Sequence, residues 1–129
     1  MKKAYIAGPL FDDGERWWME HVEQVVRDAG FTTFLPHRDN PQKTEHNVAE
    51  IFANDRGAVE GCDVVVASLN GIITDDGTAW ELGYAYALGK PIIGLHTDWR
   101  RRFDHEVVNL MIECSLAAMV HSLDGLPGE

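Results

Sequence analysis

The chain has few basic residues, few cysteines and no long apolar run. Its 11 lysines and arginines are outnumbered by 21 aspartates and glutamates, for a net charge of -10. A surface this acidic repels phosphate backbones and anionic lipids, so we expect neither a nucleic-acid polymer nor a membrane as a partner. No apolar run approaches the roughly 20 residues of a spanning helix, and the N-terminal one is too short for a secretory signal. We therefore expect a cytoplasmic protein.

Signals for disulfides, metals and phosphate-binding cofactors are also missing. Cys62 and Cys114 lie far apart without a CxxC motif, which predicts buried free thiols. The six histidines never fall at i, i+3 or i, i+4 spacing, which argues against a metal site. The motifs GxGxxG, GxxxxGK[ST] and GxSxG do not occur. We therefore expect neither a metal nor a cofactor, and no serine-hydrolase nucleophile.

Short apolar strands alternate with helical segments along the whole chain, which predicts a single domain over residues 1–129. Apolar runs and their periodicity predict strands at 4–7, 31–35, 63–69, 91–96 and 119–122, and helices at 15–29, 48–59, 78–88 and 104–118. Five strands interleaved with four helices indicate a doubly wound α/β fold with one mainly parallel sheet. We favour the flavodoxin-like strand order 2-1-3-4-5.

The helix predicted at 48–59 follows a polar loop at 37–47. Its apolar residues are expected to face inward, namely Val48, Ile51, Phe52 and Val59. Asp55 falls on or near this stripe, where a carboxylate is unfavourable unless it faces a cavity or a partner.

The segment DDGTAWELGYA at 75–85 carries the clearest functional signal. Sheets of this kind bind ligands outside the carboxyl ends of the strands, where the winding reverses. Here that point lies between strands one and three, beside the loops at 8–14 and 70–78. An aspartate six residues before a glutamate can aim two carboxylates, Asp75 and Glu81, into that crevice. This arrangement favours carboxylate chemistry on a small polar substrate.

The same residues also have purely structural explanations. Thr78 and Glu81 have the spacing of a capping box, and Asp76-Gly77 is a common turn signal. On the other hand, a helix N-terminus stabilises an ionised carboxylate, which suits a nucleophile. Tyr5 is either a plain strand aromatic or a phenol at the crevice floor. By default, Asn109 is an exposed mid-helix residue.

Four motifs, in order from Tyr5 to about Leu116, resemble the nucleoside 2-deoxyribosyltransferases. They are YIAGPLF, DVVVASL, DxGTAxELGxAxxxGKP and NLM, of which the third is specific and the first and last are weak alone. The resemblance covers nearly the whole chain. It implies a flavodoxin-like, oligomeric enzyme that transfers a 2'-deoxyribosyl group between nucleobases, and nucleotide salvage is the natural pathway.

The resemblance also implies catalytic roles for three residues. Glu81 corresponds to the nucleophilic glutamate that attacks the anomeric carbon, and Tyr5 to the tyrosine that orients it. Asp55 corresponds to the aspartate that exchanges a proton with the nucleobase. The implied mechanism is a retaining double displacement through a deoxyribosyl ester on Glu81.

Further positions correspond to substrate contacts in the family. Asp75 and Asn109 match residues that reach the 5'-hydroxyl side of the sugar, the asparagine often from a neighbouring subunit. Gly8 of the AGP motif and the loop pair Asp39-Asn40 resemble positions near the substrate, the loop pair being the weakest correspondence. Some members end in a tyrosine that completes a neighbour's site, whereas this chain ends in DGLPGE.

Two alternatives stay open. The first is an N-glycoside hydrolase acting on (deoxy)nucleosides or nucleoside 5'-monophosphates. Asp75 argues against the monophosphates, because two like charges about 4 Å apart repel by about 4 kcal/mol at an effective dielectric of about 20. The monophosphate hydrolases also carry small hydroxyl residues at the positions of Asp75 and Asn109.

The second alternative is a non-catalytic flavodoxin-like nucleotide-binding or signalling module. The pair Asp12-Asp13 after strand one favours such a module. However, the chain lacks the aspartate at the end of strand three and the lysine after the last strand that receiver domains need.

Overall fold

A five-stranded parallel sheet forms the centre of the protein. The computed structural model describes residues 2–101 and 103–128. Strands β1 to β5 are Lys3–Ala7, Thr32–Phe34, Val64–Ser68, Ile92–Leu95 and Ala118–Val120. Their order is β2-β1-β3-β4-β5, and all four neighbouring pairs are parallel. The predicted flavodoxin-like architecture is therefore confirmed.

Helices connect the strands and cover the sheet on both faces. Helices α1 to α5 are Asp13–Asp28, Pro36–Asp39, Val48–Gly61, Asp76–Ala87 and Leu110–Glu113, and a 3-10 helix at Leu123–Gly128 follows β5. Asp12 caps α1 in a capping box with Glu15, and Gly30 follows the helix at a φ of 101° that favours glycine.

Alternation along β1 assigns its side chains to two cores. Tyr5 and Ala7 are buried in the cluster that also contains Val59 of α3 and Leu82 of α4. Ala4 and Ile6 are buried with Met19, Val22 and Val26 of α1 on the opposite face. Because successive side chains of a strand point to opposite faces, Tyr5 is directed toward the α3–α4 side of the sheet.

The prediction of a helix over residues 104–118 is wrong. Only Leu110–Glu113 is helical, because the Asn109 side chain accepts a hydrogen bond from the Met111 amide at 2.9 Å and begins the helix there. Phe103 and Glu106 instead form an isolated antiparallel bridge. Asn109 is therefore a helix cap and not a mid-helix residue, in line with the preference of asparagine for such positions.

Three smaller expectations also need correction. Val48 and Phe52 are 53% and 48% exposed, so only the later part of the predicted α3 stripe, such as Val59, is buried. The polar loop at 37–47 begins inside the short helix α2. Cys62 is buried as expected, but Cys114 is exposed. Among the described helices, none has the length and apolar character needed to span a membrane.

Candidate active site

A cavity of about 440 Å³ opens between α3 and α4. It is lined by Phe52, Asp55 and Arg56 of α3 and by Asp76, Gly77, Trp80 and Glu81 of α4. The spacing of three and four residues on each helix explains this set, because such residues share one helical face. The cavity therefore combines carboxylates with aromatic rings.

Tyr5 and Glu81 form the buried end of this site. Tyr5 is fully buried in β1, its ring stacks on Phe34 with centroids 5.6 Å apart, and its hydroxyl donates a hydrogen bond to Glu81 Oε2. Burial, followed by the charge of Glu81, raises the pKa of the Tyr5 phenol well above its usual value. Tyr5 therefore stays protonated and acts as a fixed donor to the carboxylate.

The pKa of Glu81 is set by its burial and by its charged and hydrogen-bonding neighbours. Burial raises the pKa of Glu81 to about 7, and the charges of Asp55 and Asp75 act in the same direction, while the Tyr5 hydrogen bond lowers it. Glu81 is the sixth residue of α4, outside the first turn where the helix N-terminus would favour its ionised form. Our expectation that the helix start keeps Glu81 ionised is therefore wrong.

The predicted capping box between Thr78 and Glu81 is also wrong. Asp75 caps α4, and its Oδ2 accepts hydrogen bonds from the Thr78 amide at 3.0 Å and from Thr78 Oγ1 at 2.9 Å. Since Asp75 performs the capping, the Glu81 carboxylate remains free to face the cavity and Tyr5.

Asp55 projects from α3 into the same cavity. Its Oδ1 accepts a hydrogen bond from Asn40 Nδ2 at 2.7 Å, and Asn54 Nδ2 holds Asn40 Oδ1 at 3.1 Å. Burial raises the pKa of Asp55, and the hydrogen bond from Asn40 opposes that rise. Asp55 also raises the pKa values of Tyr5 and Glu81 through its charge, so the three groups are electrostatically coupled.

Asp39 and Asn40, neighbours in the sequence, have different environments. Asn40 contacts Asp55, whereas Asp39 accepts a hydrogen bond from the Leu35 amide at 2.9 Å and pairs with Arg38 at 2.8 Å. The Arg38 hydrogen bond holds the pKa of Asp39 below its usual value. The structure thus brings Asn40 to the carboxylate cluster and uses Asp39 to fix the end of β2.

Gly8 and Asn109 do not line the cavity between α3 and α4. A Cβ on Gly8 would lie 2.7 Å from Met19 Sδ and 3.2 Å from Ser68 Cβ, so glycine permits the close approach of β1, β3 and α1. Asn109 is exposed at the start of α5, next to Leu110 and Met111, which are 64% and 72% exposed.

Sequence reasoning missed the aromatic side of the cavity. The rings of Phe52 and Trp80 meet edge to face with centroids 5.4 Å apart, and the Trp80 ring lies 5.3 Å from that of Tyr84. The Arg56 guanidinium lies 5.6 Å from the centre of the Phe52 ring. Phe52 and Arg56 could have been found from their helical spacing to Asp55, and Trp80 from its place beside Glu81.

The expected position of the crevice is partly wrong. The loops at 8–14 and 70–78 do approach each other, but Pro9, Asp12 and Gly14 of the first and Asn70 and Gly71 of the second line a different cavity of about 330 Å³. Of these two loops, only Asp76 and Gly77 of the second line the cavity that contains Glu81. The reason is the pleat of β1, which directs Tyr5 away from α1.

Comparison with known proteins identifies the family. Residues 4–113 match the family model described as nucleoside 2-deoxyribosyltransferase. The chain belongs to the nucleoside 2-deoxyribosyltransferase family.

Solved structures agree with membership of the deoxyribosyltransferase family. A 2-deoxyribosyltransferase from Bacillus psychrosaccharolyticus is 30% identical with a TM-score of 0.85, and the match covers 98% of this chain and 91% of that one. A 2-deoxyribosyltransferase from Leishmania mexicana is 26% identical with a TM-score of 0.69, over 87% and 85% of the two chains. A CMP N-glycosidase from Clostridium botulinum, 18% identical with a TM-score of 0.64 over 98% and 96%, shares the fold.

Proposed function

We propose that this protein transfers a 2'-deoxyribosyl group between nucleobases through a covalent ester on Glu81. The observation that carries the proposal is the pairing of Tyr5 with Glu81, whose pKa is raised to about 7, beside a second carboxyl, Asp55, whose pKa is also raised. Membership of the family and the likeness to the Bacillus enzyme support this choice of reaction.

In the first half-reaction, an ionised Glu81 oxygen attacks C1' as the bond from C1' to the base nitrogen breaks. The electron pair of that bond leaves with the base, and Asp55 supplies the proton that the base requires. The transition state resembles an oxocarbenium ion, which a nearby carboxylate stabilises before it captures the sugar. The Tyr5 hydrogen bond holds the attacking carboxylate in position.

In the second half-reaction, an incoming base gives a proton to the Asp55 carboxylate and attacks C1'. The bond to Glu81 breaks, and its electron pair returns to the carboxylate. Two inversions restore the original configuration at C1'. The chemistry therefore needs Glu81 ionised and Asp55 protonated at the same time. Burial raises the pKa values of both groups, and the Tyr5 hydrogen bond favours the ionised form of Glu81.

The surroundings of the cavity favour a nucleoside over a nucleotide. The three lining carboxyl groups of Asp55, Asp76 and Glu81 outnumber the one arginine of the lining, Arg56. Asp75 is also close enough to raise the pKa of Glu81, so an added phosphate would face more negative than positive charge. Asp75 uses Oδ2 to cap α4, and we propose that Oδ1 accepts a hydrogen bond from the 5'-hydroxyl. The rings of Phe52 and Trp80 provide apolar area for the base.

Hydrolysis is the second candidate reaction. Phe52 and Trp80 are 48% and 49% exposed, so in a single chain water can reach an ester on Glu81. We propose that a homo-oligomer covers the cavity and brings Asn109 of a neighbouring copy close to it, since Leu110 and Met111 form an exposed apolar pair beside Asn109. A drier cavity favours the base over water as acceptor. The corresponding role is cytoplasmic nucleoside salvage.

The test mixes a 2'-deoxynucleoside with a different free base and separates the products by chromatography. The swapped nucleoside supports transfer, whereas release of the original base without a swap supports hydrolysis. Glu81→Ala should abolish either reaction, and Glu50→Ala, at an exposed position of α3, is the matched control. Mass spectrometry of quenched enzyme should find the deoxyribosyl adduct on Glu81, and full turnover by Glu81→Ala would refute the assignment of the nucleophile.

A further inference from the structure

A second cavity, of about 380 Å³, lies at the carboxyl ends of β4 and β5. It is lined by His96, Thr97, Asp98, Trp99, Arg101 and His121. The parallel register pairs Leu95 with Val120, the last residues of the two strands. His96 and His121 follow these residues directly and are therefore neighbours. Their ring centroids lie 6.4 Å apart at an interplanar angle of 84°. None of these residues lines the cavity that contains Glu81.

The His96 ring is buried without hydrogen-bond partners. The residue is 1% exposed, and neither ring nitrogen bonds to any of the residues that the structure describes. A neutral imidazole has one donor and one acceptor, and buried polar groups of this kind nearly always have partners. Burial lowers the pKa of His96, which keeps the ring neutral. Because His96 lines the cavity, a bound ligand can supply the missing partners.

The charge in this cavity is positive, unlike that of the chain as a whole. Asp98 is neutralised, because its carboxylate accepts a hydrogen bond from Arg100 Nη2 at 2.6 Å and another from the Gly71 amide at 2.9 Å. Arg101 donates only to the carbonyls of Asp98 and Arg100, at 2.9 and 3.1 Å, and forms no ion pair with a carboxylate of residues 2–101 or 103–128. One full positive charge is therefore left uncompensated.

His121 adds a second directed group. Its Nδ1 lies 2.9 Å from the carbonyl oxygen of His96, and because a carbonyl only accepts, Nδ1 carries the proton. Nε2 is then the acceptor of the ring and can receive a hydrogen bond from the hydroxyl of a monohydrogen phosphate. Arg101 thus offers a charge-assisted hydrogen bond, and His121 an accepting nitrogen, to the same cavity.

The loop that carries these groups is held in place. The Asn70 side chain accepts hydrogen bonds from the amides of Thr97 and Asp98 at 2.8 and 3.2 Å and donates to Thr97 Oγ1 at 2.9 Å. This clamp joins the ends of β3 and β4, so the site is positioned before a ligand arrives. Preorganised groups lose less freedom on binding.

We propose that this cavity binds an oxyanion of the phosphate class, either free phosphate or the phosphate of a monoester. Arg101 supplies the charge, His121 an acceptor for the phosphate hydroxyl and His96 a neutral hydrogen bond from its buried ring. The Trp99 side chain, 94% exposed at the rim, offers a surface for the remainder of a monoester. This site is separate from the catalytic cavity and is compatible with a substrate that itself lacks a phosphate.

The test follows the ring protons of all six histidines by NMR during titration with inorganic phosphate and, separately, with ribose 5-phosphate. We expect the signals of His96 and His121 to shift, while those of His21, His37, His46 and His105 stay in place as internal controls. Tighter binding of the sugar phosphate identifies a monoester as the ligand, and equal binding identifies phosphate itself.

Two variants decide whether the named groups are responsible. Arg101→Gln should weaken phosphate binding by about tenfold or more, because a charge-assisted contact is lost. His121→Asn keeps a donor to the His96 carbonyl while removing Nε2, so it should weaken binding without disturbing the loop. Arg56→Gln, in the cavity between α3 and α4, should leave the affinity unchanged.

Several outcomes would overturn the proposal. One is the absence of His96 and His121 shifts at millimolar phosphate. Another is equal movement of all six histidine signals, which means that the ion binds nonspecifically. A third is loss of phosphate binding in Arg56→Gln but not in Arg101→Gln, because that result would show that the anion binds in the cavity between α3 and α4.

Discussion

Two pairs of buried or partly buried carboxylates in this protein differ in their partners. Glu23, with a side chain 9% exposed, pairs with Arg38 at 2.5 Å and accepts a hydrogen bond from Thr33 Oγ1 at 2.6 Å, and Asp98 pairs with Arg100. Glu81 and Asp55 instead accept hydrogen bonds from neutral donors, Tyr5 and Asn40.

The difference separates structural carboxylates from reactive ones. An arginine beside Asp98 holds the pKa of that carboxyl below its usual range, so it stays ionised at any ordinary pH. Burial without a cationic partner raises the pKa values of Glu81 and Asp55, and that of Glu81 to about 7, so Glu81 can exchange protons near neutrality. Neutral donors position a carboxylate without removing its basicity.

The comparison is tested most strongly by Glu81→Gln. In the folded protein the pKa of Glu81 is about 7 against an ordinary value of 4.5, so ionisation destabilises the fold progressively as the pH rises from 4.5 to 7. The neutral variant avoids this penalty and should be more stable by about 3 kcal/mol at pH 8, while losing transferase activity. Urea unfolding at pH 8 and near pH 4.5 measures the free energy of unfolding of both proteins, and the stability gained by the variant should vanish at the lower pH. An equal gain in stability at both pH values would contradict the argument that ionised Glu81 destabilises the fold.

Glu23→Ala should have the opposite effect on stability. Removing Glu23 leaves Arg38 paired with Asp39 alone and takes away the acceptor of the Thr33 hydroxyl. Because Arg38 is 37% exposed, we expect a loss of about 2 kcal/mol, below the full cost for buried pairs. Base exchange should persist below the unfolding temperature. Glu20→Ala on the same helix is the control, since the Glu20 side chain is 58% exposed and its loss should change the unfolding free energy little.

Tyr5→Phe tests the neutral donor itself. Without the phenol hydrogen bond, the pKa of Glu81 should rise above 7 by about one unit, and the rate near neutral pH should fall about tenfold. The measurement is the pH dependence of kcat/KM, in which the acidic limb moves to higher pH. Because phenylalanine keeps the ring that stacks on Phe34, an unmoved limb would mean that the Tyr5 hydroxyl does not set the pKa of Glu81.

The smallest expected effect belongs to Asn40→Ala. The Asn40 hydrogen bond lowers the pKa of Asp55, so its removal should raise that pKa and move the alkaline limb of kcat/KM to higher pH. Asp39→Ala, one residue earlier, should leave this limb in place because Asp39 contacts Leu35 and Arg38. Matching shifts in both variants would indicate a general disturbance of the loop.

The sequence by itself determined the five strands and their parallel sheet, because short apolar runs closed by turn residues alternate with helical segments, and the favoured order 2-1-3-4-5 is the one observed. Local motifs also singled out Tyr5, Asp75 and Glu81, and Asp55 was singled out by its place near the apolar stripe of its helix. Sequence reasoning failed for 104–118, where apolar spacing suggested a long helix and a single Asn109 side chain began a short one.

Tertiary structure alone decided which carboxylates are reactive. No local pattern shows that Asp75 caps α4 while Glu81, six residues later, lies against the buried phenol of Tyr5. Nor does it show that His96 and His121 become neighbours through the pairing of β4 with β5. The proton affinity of a side chain depends on desolvation and on charges that are distant in the chain, and both arise only when the sheet and its helices come together.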